Sequence, residues 1–236
     1  QDNSVYWLGS DLVCYRLNGY TPVRVSNHEV EYRIGQKTVA EIAAARAFSY
    51  TQEGHKFIHL TVGTETFVYD AATQMWHERG YLVTSTGLFT RDRASCSAYF
   101  NNTTIVGDFE NGDFYELDLE TYTDDGDYMP SVITTRHLDA QGRMVFYHRL
   151  EVEVESGIGL QTGQGSDPQI ELRKSNDGGR TWSAWEARDI GVIGNYNARA
   201  RWPGLGASSD RTYQLRITDT LKSVIGNLNL EVTIGR

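Results

Sequence analysis

Residues 175 to 182 read Ser-Asn-Asp-Gly-Gly-Arg-Thr-Trp and follow the pattern Ser-x-Asp-x-Gly-x-Thr-Trp, known as the Asp box. This octet constrains the fold more than any other stretch because it specifies a tight reversal between two strands. The Asp177 carboxylate can accept hydrogen bonds from loop N–H groups, and Gly178 and Gly179 allow the positive φ angles that such a turn needs. Trp182 then starts the outgoing strand, where its ring can be buried against a sheet. The octet predicts a structural hairpin turn formed by Ser175, Asp177, Gly179, Thr181 and Trp182.

The same octet raises the question of catalysis, because Asp boxes occur in sialidases as well as in many non-enzymatic β-proteins. The motif itself contributes no nucleophile and no general acid. A sialidase would also need an arginine cluster for the substrate carboxylate, together with a Tyr and an acid, and the sequence shows no recognisable set of this kind. The octet therefore favours a structural role. A carbohydrate-binding or sialidase-like propeller is the alternative.

Aromatic residues and glycines indicate an all-β fold with propeller blades. The chain has 14 Tyr, 5 Trp, 8 Phe and 23 Gly, a composition that suits many short strands joined by turns. Strand–turn–strand units recur in residues 1–135, and each carries a Tyr near its second strand: Tyr15, Tyr69 and Tyr115. These tyrosines are 54 and 46 residues apart, close to the blade period of about 40 to 50 residues. We predict blade-like repeats over 1–135, with one short helix near 39–48 where Ala and Glu replace β-branched residues.

Residues 136–236 have a different pattern and are predicted to form an antiparallel β-region that carries the Asp box. From Met144 to Glu155 apolar and polar side chains alternate, which predicts a half-buried strand with Met144 and Phe146 on the buried face and the acidic face in solvent. The region is sandwich-like or completes the propeller. Three blade-like units cannot close a propeller, which needs about four. Either further blades precede Gln1, or residues 136–236 supply the missing sheets.

Charge and hydropathy exclude two classes of partner. The formal net charge is −9, and residues 1–135 carry 9 basic and 19 acidic side chains whereas residues 136–236 carry 13 and 12. Such a balance excludes a surface that binds DNA non-specifically over its whole area. No apolar run approaches the roughly 18 residues of a membrane span, so no membrane insertion by this chain is expected.

The remaining candidate ligands predict no metal, cofactor or catalytic residue. Cys14 and Cys96 lie in hydrophobic strand-like runs without metal-ligand spacing, so both are expected to be reduced and buried. His55 and His59 share one strand face but lack a third ligand. The acidic run 124–127 lacks the register of a calcium loop and predicts a solvated turn.

Two further segments have both a functional and a structural interpretation. The glycine-rich stretch 156–165 is flanked by strands and contains no Gly-Lys-Ser or Gly-Lys-Thr, so it predicts a β-loop rather than a phosphate site. The run Asn197-Ala198-Arg199-Ala200-Arg201-Trp202 combines arginines with an aromatic ring and could touch nucleic acid, or it is an ordinary strand whose arginines form surface pairs. The candidate contacts to DNA or a partner are Arg199, Arg201 and Arg211.

A series of motifs runs through the chain from about Val5 to the C-terminus. It includes Ala47 to Phe57, Thr66 to Asp70, Trp76 to Arg79, Val106-Gly107-Asp108, Asp124-Asp125-Gly126, Gly157-Ile158-Gly159, the Asp box, and Asp210 to Ile217. In order and spacing this series resembles the packaged-DNA stabilisation proteins of short-tailed bacteriophages, also called tail nozzle or tail hub proteins. Members of that family are longer than this chain.

The resemblance implies a structural virion protein of the phage tail, assembled in the host cytoplasm and without cofactors. Such proteins resemble β-propellers that form a homo-oligomeric ring, usually of six copies, below the portal and adaptor (the head-to-tail connector). They extend the channel through which double-stranded DNA passes, help to retain the packaged genome, and dock tail fibre, spike or needle proteins. A weaker alternative is a cellular kelch-like interaction module, supported only by Tyr69 to Trp76.

Overall fold

The computed structural model describes residues 4–196 and 198–235, so Gln1 and Asn197 lie outside the described residues. The chain divides into two compact units, with the boundary between Leu119 and Glu120. In both units almost all regular structure is β-strand, and the all-β prediction is confirmed.

The described part of the first unit contains three antiparallel sheets in which successive strands are neighbours. The first sheet is β1 (Tyr6–Leu8), β2 (Cys14–Asn18) and β3 (Thr21–Arg24). The second is β4 (Arg46–Gln52), β5 (His55–Val62), β6 (Glu65–Asp70), β7 (Met75–Val83) and β8 (Leu88–Arg91). The third is β9 (Ala94–Phe100), β10 (Thr103–Asp108) and β11 (Phe114–Glu116). Sequential antiparallel sheets of this size are typical of propeller blades.

Predicted hairpins are present in all three sheets. In the third, Phe100 pairs with Thr103 across Asn101 and Asn102. The two asparagines have φ angles of 49° and 66°, the left-handed conformation that a two-residue hairpin turn of the favoured type needs at both positions. Asn adopts this conformation more readily than most residues, so the Asn-Asn pair suits this turn.

Two short helices, α1 (His28–Gly35) and α2 (Val39–Ala43), connect the first sheet to the second. The prediction of one helix near 39–48 was wrong at its C-terminal end, because β4 begins at Arg46. This strand pairs with β5 along its whole length, and such tertiary pairing overrides the helix propensity of the alanines before it.

Helix α1 was missed, although its start has a clear signal. The side chain of Asn27 accepts a hydrogen bond of 2.9 Å from the backbone N–H of Val30, as an N-cap residue does. Val30 and Ile34, four residues apart, are both buried, which is the spacing of one helix face. Arg33 binds Glu65 at 2.8 Å and so attaches the helix to the second sheet.

The second sheet is covered on both faces within the first unit. One face packs against β2 and α1, and the buried cluster between them contains Cys14, Val30, Ile34, Leu60, Val62 and Phe67. The other face packs against β9, where the Ser97 hydroxyl donates to the Ser49 carbonyl at 3.0 Å. Buried His59 lies on this face and stacks on Phe48, with ring centroids 4.2 Å apart. Consecutive propeller blades pack face to face in this way.

The second unit is a β-sandwich preceded by a small hairpin, β12 (Thr123–Asp124) and β13 (Asp127–Tyr128). One sheet has the order β14-β20-β17-β18, with β15 also on β20; the other has the order β19-β16-β21. The first of these sheets contains β14 (Ser131–Thr134), β15 (Leu138–Asp139), β17 (Gln169–Ser175), β18 (Glu186–Asp189) and β20 (Asp210–Ile217). The second contains β16 (Val145–Val154), β19 (Ala200–Ser208) and β21 (Ile225–Ile234). Their facing sides share one core, which includes Tyr147, Leu150, Val152, Ile170, Leu172, Trp202, Leu205, Leu215 and Ile217.

A β-bulge in β16 reverses which side chains face that core. The bulge lies between Tyr147 and Arg149. The buried side chains are odd-numbered before it and even-numbered after it: Val145, Tyr147, Leu150, Val152 and Val154. The predicted alternation was therefore wrong for the first half of the strand, where Met144 and Phe146 are exposed. One extra residue in a strand shifts the two-residue side-chain period by one position.

The structure divides the chain earlier than the predicted change at residues 135 and 136. Ile133 of β14 pairs with Leu215 of β20, so the strand Ser131–Thr134 belongs to the sandwich. This pairing over about 80 residues of sequence is the reason that a local change in composition did not locate the boundary.

Both cysteines are free thiols, but only one is buried. Burial raises the pKa of the Cys14 thiol to about 12, which makes it unreactive. The prediction of a buried Cys96 was wrong, because this side chain is exposed on β9, opposite Gly107 of β10. No helix in the described part of the chain is long and apolar enough to cross a membrane.

Candidate functional site

The Asp-box turn between β17 and β18 is closed by its own polar groups. Oδ1 of Asp177 accepts hydrogen bonds from the backbone N–H groups of Arg180 at 3.0 Å and Thr181 at 2.9 Å. Its Oδ2 accepts the Thr181 hydroxyl at 2.5 Å. The Ser175 hydroxyl donates to Asp177 at 2.7 Å and accepts from the N–H of Gly179 at 2.8 Å. The structure thus brings together four of the five residues predicted to form the turn.

Those hydrogen bonds keep the Asp177 carboxyl group ionised. The Thr181 hydroxyl, then the Thr181 N–H and the Ser175 hydroxyl, hold the pKa of Asp177 well below its usual value of 3.8. A general acid must be protonated at the working pH. Asp177 therefore has the electrostatics of a turn residue and not those of a catalytic acid.

Trp182, the fifth residue, belongs to a row of stacked tryptophan and arginine side chains that sequence reasoning missed. The Arg173 guanidinium lies 4.7 Å from the Trp182 ring centroid and 4.4 Å from that of Trp185. The Arg216 guanidinium lies 4.2 Å from the Trp185 centroid, and its Nε donates to Glu171 at 2.6 Å. Each such cation–π contact stabilises by about 0.5 to 2 kcal/mol.

This row lies on the side of the sheet that faces away from the sandwich core. Glu171 pairs with Arg216 across β17 and β20, while the intervening Leu172 and Leu215 are buried in the core. Trp182 therefore packs against a sheet, but on its outer face and only partly buried. The prediction that it starts the outgoing strand was wrong, because β18 begins at Glu186. The sequence feature that could have predicted this row is the pair Trp182 and Trp185, three residues apart, together with the arginines on the two strands that pair next to it.

Arg211 lies inside the sandwich, with only 1% of its surface exposed. Its Nε donates to Oδ1 of Asn176 at 2.6 Å. Its Nη1 donates to the Leu205 carbonyl at 3.0 Å and to the Tyr213 hydroxyl at 3.1 Å. The guanidinium also lies 4.5 Å from the ring centroid of Tyr147. The expectation that Arg211 contacts DNA or a partner was wrong, because the folded sandwich encloses this side chain and uses its donors.

Arg199 and Arg201 are about half exposed, and both bind the same carboxylate. Nη1 of Arg199 lies 2.8 Å from Oε1 of Glu151, and Nε of Arg201 lies 2.7 Å from Oε2. The hydrogen bonds from Arg199 and Arg201 lower the pKa of Glu151. Arg201 thus lies on strand β19 and Arg199 just before it. Both positive charges are accessible to solvent but share one negative partner.

The histidines considered as metal ligands have acidic partners instead. Nδ1 of His55 lies 2.7 Å from Oδ2 of Asp70. Burial acts to raise the pKa of Asp70, but hydrogen bonds from His55, from Thr73 and from a backbone N–H outweigh it and lower that pKa to about 2. His59 lies 3.6 Å from Asp92. Among the residues that the structure describes, no group of three or more His, Cys, Asp and Glu side chains could hold a metal ion.

Two family models together match most of the chain, and each model corresponds to one of its two units. The model described as "Bacteriophage P22 Gp10, beta-propeller" matches residues 2–122, and the model described as "Bacteriophage P22 Gp10, beta-sandwich" matches residues 131–233. The chain belongs to the bacteriophage P22 Gp10 family. This family is the tail nozzle and DNA stabilisation family that the sequence resembles, so the resemblance is confirmed. The Gp10-family chain is a structural phage protein, and its place is the tail of the virion.

Other comparisons add little to this assignment. No curated protein sequence matches the Gp10-family chain. Among solved structures, it is similar to a glycoside hydrolase family 43 arabinoxylan arabinofuranohydrolase from Bacillus subtilis, determined in complex with cellotetraose. The identity is 9% and the TM-score 0.27, over 98% of this chain and 66% of the hydrolase chain. So low a TM-score supports no conclusion about fold or activity.

Membership of the Gp10 family also locates the Asp box. Residues 175–182 fall within the sandwich match and not within the propeller match. The octet therefore marks a hairpin of the sandwich, and the buried side chain of Arg211 binds it through Asn176.

Proposed function

We propose that this Gp10-family chain is a non-catalytic, ring-forming subunit of the phage tail nozzle. In this role it extends the DNA channel below the portal and adaptor, helps to retain the packaged genome and docks other tail proteins. The observation that carries the proposal is the succession of Gp10 propeller and Gp10 sandwich matches over both units. The ring would contain about six copies, assembled in the host cytoplasm with closed cyclic symmetry.

The distribution of acidic residues supports a role beside DNA that does not bind it tightly. Residues 94–135 contain nine Asp and Glu side chains and no Lys or Arg. Acidic side chains near a channel repel DNA phosphates over about 10 Å at 0.1 M salt. Arg199 and Arg201 could provide a weak grip, because Glu151 neutralises only one of their two charges.

Exposed aromatic side chains support contacts with other virion proteins. On the third sheet of the first unit, Phe100 and Phe114 lie on one face and Tyr99 on the other, and all three are largely exposed. Exposed apolar groups of this size can contribute to protein interaction sites. The portal–adaptor ring and the tail fibre, spike or needle proteins are the partners that we propose for the assembled nozzle.

Reconstitution on the connector tests the ring directly. We expect the purified chain to be monomeric and to add about six copies to an isolated portal–adaptor ring, because a cyclic template supplies the symmetry of the contacts. Mass photometry of the mixture measures the number added, and adaptor-free portal is the control. Absence of binding to the complete connector would contradict the proposal.

A further inference from the structure

The two sheets of the sandwich are unequal, and among the described residues strand β21 pairs only with β16. Next to the other edge, the two sheets are connected: Nε1 of Trp202 on β19 donates to the Glu186 carbonyl on β18 at 2.9 Å, and Nε of Arg188 donates to the Arg201 carbonyl at 3.0 Å. With β18 above β19, the strand orders place β17 opposite β16, β20 opposite β21, and β14 opposite an empty position. Facing sheets of a sandwich run in similar directions. One strand position of the three-stranded sheet is therefore unfilled.

Apolar side chains line that position on β21. The residues that pair with core positions of β16 point toward the core, and they include Leu228, Val232 and Ile234, which pair with Val152, Tyr147 and Val145. Their partners on β16 are buried, yet Leu228, Val232 and Ile234 remain 38%, 40% and 46% exposed. An inward-facing apolar row stays this exposed because no strand of the described chain pairs with the outer side of β21.

The facing strand β14 also has an inward-pointing apolar side chain that remains exposed. Ile133 pairs with the fully buried Leu215, so its side chain points to the core side, but it is 45% exposed. Leu228, Val232, Ile234 and Ile133 together form what we call the β21 groove. One wall of this groove is apolar side chains, and its edge is the unpaired backbone of a ten-residue strand.

The other sandwich edges carry features that prevent strand addition, and β21 lacks them. Strand β19 contains Pro203, with Gly204 and Gly206 at φ angles of 65° and 78°. Strands β14 and β18 have only four residues each. Strand β21 has no Pro or Lys, and Glu231 is its one charged residue. Proteins normally block long edge strands with such residues, so an unblocked edge indicates a place where a strand binds.

We propose that the β21 groove binds an extended segment of a different polypeptide, which adds as a fourth strand beside β21. Its groove-facing side chains would be apolar and uncharged at alternate positions, to match the apolar row, and its backbone would pair with the free edge. This inference goes beyond the ring and does not depend on it.

A second copy of this chain does not fit the same position. If the β21 strand of a second copy paired with this β21 so that both apolar rows lay on the same side of the joined sheet, the β20 of the second copy would enter the space that β14 occupies. If the second copy were turned over, its apolar row would lie on the other side of the sheet. Among the described residues, the long strands with alternating apolar side chains are already paired within their own sheets, so none of these strands is free to fill the position.

Peptide binding tests the proposal with the whole chain. The probe is a fluorescein-labelled ten-residue peptide in which Val alternates with Thr and Lys, and the control has the same composition with the valines grouped. We expect the alternating peptide to bind at least about tenfold more tightly in fluorescence anisotropy, because only alternation presents one apolar face. Hydrogen exchange of residues 225–234 should slow when it binds. Equal binding of both peptides would overturn the proposal.

Matched lysine substitutions locate the binding surface. Val232→Lys and Ile133→Lys place a charge in the groove from its two sides, and each should weaken binding about tenfold or more because the charge would be buried against apolar groups. Asn229→Lys and Val132→Lys add the same charge on the outer faces of the same strands and should change binding less than about twofold. If the outer-face variants weaken binding as much as the groove variants, the peptide binds elsewhere and the proposal fails.

The peptide backbone gives a test that side-chain substitution cannot mimic. Only alternate N–H groups of an added strand point toward β21. N-methylation of the N–H groups that point toward β21 should abolish binding, and N-methylation of the other alternate set should leave binding unchanged. Loss with both sets, or with neither, would contradict strand addition. A dimer of the free chain that Val232→Lys dissociates would show that a second copy covers the edge, which also contradicts the proposal.

Discussion

Arg211 donates a 2.6 Å hydrogen bond to Asn176, and this bond attaches the Asp-box turn to the interior of the sandwich. Asn176 is the second residue of the octet, a position that the motif leaves open. The turn therefore has two levels of support: Asp177 closes it from within, and a buried arginine holds it from β20.

Removal of the Arg211 side chain should destabilise the sandwich strongly. Arg211→Ala leaves buried acceptors without a donor and opens a cavity beside Tyr147, so we expect the free energy of unfolding to fall by about 2 to 4 kcal/mol. Urea denaturation of the whole chain measures this change. Arg199→Ala, which removes an exposed arginine, should leave the midpoint nearly unchanged; an equal loss in both variants would contradict the internal role of Arg211.

The Asp177 carboxylate should make the stability of the chain depend on pH in the acidic range. Its folded-state pKa lies below the usual value of 3.8, so the stabilisation that it provides is fully present well above pH 3.8 and is lost as the pH falls below that value. Asp177→Asn should lower the thermal midpoint at pH 7, and the difference from the parent chain should narrow below about pH 3.8. A difference that stays constant down to pH 2 would show that the charge of Asp177 does not hold the turn.

Release of the two exposed arginines should increase affinity for DNA. In Glu151→Gln the shared negative partner of Arg199 and Arg201 is gone, so we expect several-fold tighter binding of duplex DNA at low salt. The slope of log affinity against log salt should steepen by about 1 to 2. Fluorescence anisotropy with a labelled duplex measures both. The comparison variant is Glu231→Gln on the same outer face, which removes the same charge but releases only one arginine, Arg149, and should have a smaller effect. An unchanged slope would exclude these arginines as DNA contacts.

Carbohydrate chemistry should be absent. The polar groups of Ser175, Asp177 and Thr181 are used to close the turn, and Asp177 stays ionised. The Asp box therefore supplies neither a sugar contact nor a general acid, and we expect no binding on a glycan array and no turnover of a fluorogenic sialoside. Reproducible binding or turnover that Asp177→Asn leaves intact would place a carbohydrate site elsewhere in the chain and would overturn the non-catalytic assignment.

Local signals predicted much of the fold, and long-range pairing explains what they missed. Asn101 and Asn102 specified their hairpin because a two-residue turn depends on its own φ angles. The bulge between Tyr147 and Arg149 could not be predicted, because it exists only in the register with β19 and β21. The Asp box was predictable from its own spacing. The burial of Arg211 was not, since its acceptors Leu205 and Asn176 lie 6 and 35 positions away along the chain and are brought to it only by the folded sandwich.

Electron cryo-microscopy of the virion tests the central claim most directly. We expect density that fits both the blade-like sheets and the sandwich to form a closed ring on the tail axis, immediately below the adaptor, with DNA or an empty channel at its centre. Density for this chain away from the tail axis, or a single copy in place of a ring, would contradict it.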